Sequence, residues 1–215
     1  VIIRAVMHET PPLPAAASDE PVALDVYRLP ETDLSEVTGI IIAGDADQVF
    51  LAEQQQLLDG FVERGGRVLV NGHVQRPFLT GLATWCKLAF AGPRDLRLTR
   101  LNDHPVWEGA DPDLFLFSTG EPGPQSLERL REIGVAGFYG RGYPAWLPEH
   151  AMIIHGLGEL LAPIDYEYPL GAGRVLVHCG NDLTHFISAD RGTAHMGAQL
   201  TAWLRAADEQ KETAA

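Results

Sequence analysis

The sequence predicts an α/β fold: a mainly parallel sheet flanked by helices, with an antiparallel hairpin added near the C-terminus. Three observations carry this. First, GIIIA at Gly39–Ala43 is followed by an amphipathic stretch, a Gly65-Gly66 stop and the apolar run RVLV. Strand, helix and strand in that order mark a crossover in a parallel sheet. Second, Ile40-Ile41-Ile42 and Val68-Leu69-Val70 are continuous rather than alternating apolar runs, as in strands covered on both faces. Third, two strand-like segments, Ile164–Pro169 and Gly173–His178, are joined by Gly171-Ala172-Gly173, which reads as a hairpin.

The elements follow in order. Val1–Met7 starts apolar and β-branched and reads as a buried strand. The prolines of TPPLPAAASDEP argue against a helix after it. Val22–Leu29 alternates and is expected to be a second strand. Between Ala46 and Arg64, Phe50, Leu57, Leu58, Phe61 and Val62 share one helical face, and the paired glycines close that helix. LTGLATWCKLAF is expected to be a short helix with Cys86 on its apolar face. Leu96–Leu101 alternates like an edge or antiparallel strand, Pro124–Glu132 is helical, and Ala151–His155 is strand-like. A last helix over Thr193–Ala206 turns Met196, Leu200, Trp203 and Leu204 inward.

No repeat or boundary divides the chain, so residues 1–207 are expected to form one domain, with a polar tail at 208–215. Net charge is −13, which repels phosphate backbones and argues against nucleic-acid binding. No apolar run is long enough for a membrane span. The N-terminal VIIRAVMHE is charged too early for a signal peptide, and Cys86 and Cys179 do not make a disulfide framework. A reduced cytoplasmic protein is expected.

In an open α/β sheet, ligands bind beyond the carboxyl ends of the strands. The residues expected there are His8 and Glu9; Gly44, Asp45 and Asp47; Asn71, Gly72 and His73; His155 and Gly156; and His178 to Asp182. Candidate ligand-binding residues are therefore Asp45, Asn71, Gly72, His73, His178 and Asn181. Arg141 joins them from GFYGRGYPAWLP, whose glycines present an Arg and aromatics to an anionic or sugar-like ligand, or to a second subunit. Candidate acid–base groups are His73, His178 and Asp182. Turns alone also place polar residues at strand ends, and Asp45 or Asp47 serves equally as a helix N-cap. His73, His178, Asp182 and His185, with Asp45 or Asp47, have metal-ligand chemistry, but they follow no tight ligand motif, and neither a metal nor a cofactor is expected. His104, held before a proline, is expected to be a packing residue. Cys179 neighbours His178 on a strand, where adjacent side chains point apart, so a structural role is expected for both cysteines.

The stretch GIIIAGDADQVFLAEQQQLLDGFVERGGRVLVNG, together with VLVHCGNDLTHF after the hairpin, resembles the class I glutamine amidotransferase-like superfamily. That resemblance implies a flavodoxin-like fold with its site at the turn after Val70. Catalytic members carry a cysteine in that elbow and a His-x-Glu pair after the last strand. Here the elbow is Asn71-Gly72-His73, Gly180 stands where the acid would be, and a proline-rich loop replaces the first helix. A divergent member without glutaminase activity is expected, a binding or assembly module that takes a small polar or sugar-like ligand and forms a homodimer through its exposed aromatic loop. The alternative is a hydrolase-type enzyme with rebuilt His/Asp, possibly metal-assisted, chemistry at the same sheet edge.

Overall fold

The computed structural model describes residues 1–11, 13 and 20–206. The tail at 208–215 and most of the proline-rich loop, where a first helix is expected to be missing, lie outside the described residues.

The chain folds around one eight-stranded sheet. Its strands are β1 (Ile2–Val6), β2 (Val22–Asp25), β3 (Gly39–Ile42), β4 (Arg67–Asn71), β6 (Leu98–Arg100), β8 (Met152–Leu157), β9 (Ala162–Leu170) and β10 (Gly173–His178). A separate two-stranded ribbon pairs β5 (Trp85–Lys87) with β7 (Gly142–Pro144). The order across the sheet is β2-β1-β3-β4-β10-β9-β8-β6. The first five run parallel, in the flavodoxin-like order with β10 as the fifth strand. The last three are added through antiparallel pairings.

Helices α1 (Gln48–Glu53) and α2 (Gln55–Glu63) cross from β3 to β4, α3 (Leu127–Ile133) lies in the long connection before β7, and α4 (His195–Arg205) follows β10. The two long helices cover opposite faces. Gly39 backs directly onto Leu204 of α4, while Gly173, of opposite parity in the sheet, backs onto the end of α2 at Val62. Fully buried Ile40, Val68, Val70 and Val175 lie between them in the core.

Three sequence expectations need correction. The strand from Val22 stops at Asp25, whose carboxylate accepts from the Tyr27 amide and caps a 3-10 turn over Val26–Glu31. The single helix expected over 46–64 is interrupted at Gln54, where no Gly or Pro marks the break. The helix expected around Cys86 is the strand β5. Its apolar spacing fits either structure in so short a run, and pairing with Gly142–Pro144 decides it. Cys86 is accordingly half-exposed rather than on a buried helix face.

Candidate ligand-binding cleft

The carboxyl ends of β3, β4 and β10 open into a cleft of about 430 Å³ lined by Arg4, Gly44, Asp45, Gly72, His73, Gly180, Asn181, Asp182 and His185. Its size is that of small-molecule sites. Backbone geometry builds it. Gly72 has φ +91°, and a Cβ there would lie 2.8 Å from the Gly44 Cα, so the turns after β3 and β4 touch through two glycines. The Gly72 amide donates to the His178 carbonyl at 3.0 Å, which locks the third turn against them.

Several cleft side chains are already engaged. Arg4 donates to Asp182 at 2.7 Å, and Asp182 also accepts from the Thr184 amide and hydroxyl. Burial by itself raises the Asp182 carboxyl, but the Thr184 hydrogen bonds and Arg4 outweigh it and hold the group below its ordinary value. Asn181 donates to the Phe138 carbonyl. By contrast, the carboxylate of Asp45 and the rings of His73 and His185 have no hydrogen-bond partner among the described residues. His73 is half-buried and stacks on Trp85 with ring centroids 4.1 Å apart. Burial, then electrostatic interaction with Arg141 and His178, hold its imidazole below the ordinary value, which favours the neutral, hydrogen-bonding form.

The structure distributes the other sequence candidates. Asn71 sits behind the wall, donating to the Ile42 carbonyl at 3.1 Å and accepting from the Leu183 amide at 3.0 Å. Asp47 caps α1 and accepts from the Tyr27 hydroxyl. Arg141 lies outside the cleft, stacked on Phe90 and Phe138. His8 is exposed and outside it. His155 is not at a strand end, because β8 continues to Leu157 and buries it completely. No group of three His, Cys, Asp or Glu among the described residues is placed to hold a metal ion. Cys179 is buried, and burial, reinforced by Asp165, pushes its thiol well up. It is inert by that measure.

His178 lies under the cleft floor in a polar row that the sequence does not announce. Asn71, His178, Asp165, His155 and Arg100 are register neighbours across five strands. Asp165, fully buried, accepts from His178 Nδ1 at 2.6 Å, from His155 Nδ1 at 2.8 Å and from the Tyr139 hydroxyl at 2.8 Å. Tyr139 in turn accepts from Trp107 Nε1 at 3.1 Å. Burial raises the Asp165 carboxyl, but interaction with His178 and hydrogen bonds from both imidazoles win, holding it far below the usual carboxylate range. Both imidazoles spend Nδ1 on Asp165 and leave Nε2 buried without a partner. His178 Nε2 faces Gly180, where an added Cβ would be 2.8 Å away. Tyr139, expected to be an exposed loop aromatic, belongs instead to this core network, and Trp146 is the strongly exposed ring of that loop.

Neither a protein-family model nor a curated protein matches the chain. Among solved structures it is similar to the cytoplasmic protein STM1381 from Salmonella typhimurium LT2, at 12% identity and a TM-score of 0.49, covering 87% of this chain and 81% of that one. The cytoplasmic protein STM3548 from Salmonella typhimurium is similar at 12% identity and a TM-score of 0.48, over 82% of this chain and 73% of that one. The exo-beta-1,4-mannosidase Op5Man5 from Opitutaceae bacterium strain TAV5 is similar at 18% identity and a TM-score of 0.36, over 80% of this chain but 25% of the mannosidase.

Proposed function

We propose that this chain is a divergent glutamine amidotransferase-like protein without glutaminase activity, and that it binds a small polar, sugar-like ligand in the carboxyl-edge cleft. The observation that carries the proposal is the set of unengaged side chains there: Asp45, His73 and His185 offer one anionic acceptor and two imidazoles to a cleft that no thiol lines. A carboxylate and imidazoles suit hydroxyl groups, which both donate and accept. The flavodoxin-like strand order and the glycine elbow at Gly72 support the superfamily assignment.

Calorimetric titration with a panel of mono- and disaccharides tests this. The double variant Asp45→Asn/His73→Ala should abolish binding of the sugar that the parent binds, while folding stability stays within roughly 1 kcal/mol of the parent. Unchanged affinity in the variant, or no sugar bound by the parent, would contradict the proposal. Ammonia release from glutamine should be undetectable, and release abolished by Cys86→Ser or Cys179→Ser would refute that part separately.

A second reading, a hydrolase with rebuilt chemistry, is favoured by the Asp165–His178 pair, whose free Nε2 lies against the cleft-floor residue Gly180. Esterase or glycosidase turnover that is lost in His178→Gln but retained in His155→Gln would support it over the binding role.

A further inference from the structure

Beside the cleft, a second depression of about 510 Å³ is lined by Lys87, Leu88, Ala89, Phe90 and Arg141. It sits at the open end of the β5–β7 ribbon, where the Leu88 amide donates to the Arg141 carbonyl at 2.8 Å. Its floor is apolar and its two charges are both positive, in a chain whose net charge is −13. Among the described residues no carboxylate pairs with either cation. The Arg141 guanidinium lies over two aromatic rings, 5.6 Å from the Phe90 centroid and 5.4 Å from that of Phe138. Contact with two rings restrains the guanidinium, whose N–H groups have no hydrogen-bond partner among the described residues, so less side-chain entropy remains to be lost when an oxyanion binds.

The depression adjoins the cleft through three links. Gly140, next to Arg141, forms a bridge with the cleft-floor residue Gly180. Trp85, two residues before Lys87, carries the His73 stack. His73 feels the charge of Arg141.

We propose that Lys87 and Arg141 form an anion subsite, and that the ligand of the cleft carries a carboxylate or phosphate group received there. The subsite rests on the cleft reading for the rest of the ligand, but its own chemistry is independent of it. Two cations lining one depression, one of them a planar guanidinium, match the fork of a carboxylate or phosphate.

Two titrations test it. Inorganic phosphate, followed by phosphorus NMR line broadening, should bind the parent and lose binding in Lys87→Gln/Arg141→Gln. Both residues are exposed, so the variant should fold normally, as its circular dichroism melt will show. Glucuronate and glucose phosphate should bind roughly tenfold or more tightly than glucose, as expected for hydrogen bonds to a charged group, with that advantage lost in the double variant. A larger gain for glucose phosphate than for glucuronate assigns phosphate, and the reverse assigns carboxylate. No phosphate binding, or a charge advantage that survives the double variant, overturns the subsite. If phosphate binding depends on Lys87 and Arg141 but Asp45→Asn/His73→Ala alters no sugar, the subsite stands and the cleft reading fails.

Discussion

Replacing Asp165 with asparagine should cost about 3–5 kcal/mol of folding stability, the usual result of removing one partner from a buried ionic network. Three donors converge on this carboxylate, from His178, His155 and Tyr139. An asparagine amide has one acceptor atom and turns its NH₂ toward groups that are themselves donors. In a chain of this size the melting temperature should fall by roughly 10 °C. The pH dependence has a definite sign. The folded carboxyl lies far below its unfolded value, so its contribution is fully present above the unfolded aspartate pKa of about 4 and is lost as pH falls from there toward the folded value. The stability gap between parent and Asp165→Asn should be full at neutral pH and narrow below about pH 4. Urea denaturation at several pH values measures it, and a gap independent of pH across this range would show that the carboxylate charge is not what holds the network.

Gly180→Ala should be comparably damaging for a different reason. The added Cβ would stand 1.6 Å from the Tyr139 carbonyl oxygen and 2.8 Å from both Tyr139 C and His178 Nε2. Backbone cannot yield as a flexible side chain would, so the Gly140–Gly180 bridge must part. A cost of about 3 kcal/mol, the upper end for overpacking a tight site, should appear in the denaturation midpoint. Sugar binding should disappear with it, because Gly180 forms the cleft floor. An alanine variant of parental stability would mean that the bridge opens readily, which would favour a working His178 beneath it.

The architecture was legible where the sequence contains long, unambiguous patterns. The isoleucine run of β3, the apolar β4 and the glycine-turned hairpin lie where their apolar runs and turn residues put them, as does the crossover helix apart from its break at Gln54. Short segments misled: Trp85–Lys87 has too few residues to show a period, and its pairing partner lies far off at Gly142–Pro144. The cleft was legible because residues after parallel strands must gather at one edge, which placed Asp45, Gly72, His73, Asn181 and Asp182 together. Arg4 escaped that rule. It sits inside β1 and reaches Asp182 only by the length of its side chain. Asp165 also escaped it, although a signal was present. Asp165 and Glu167 alternate with apolar residues in Ile164–Tyr168, so both acids share one face of a strand. On that face each meets a buried histidine: His178 and His155 for Asp165, His104 for Glu167 at 3.1 Å.

The central claim, that the carboxyl-edge cleft receives the ligand, is tested most directly by imidazole-resolved nitrogen–proton NMR of histidine-labelled protein during titration with the sugar bound most tightly in calorimetry. His73 and His185 line the cleft, whereas His8, His150 and His195 are exposed outside it. The account predicts that the His73 and His185 resonances move together and saturate with the calorimetric affinity, while those three stay fixed. Shifts confined to His8, His150 or His195, or a saturating titration that moves neither His73 nor His185, would contradict it.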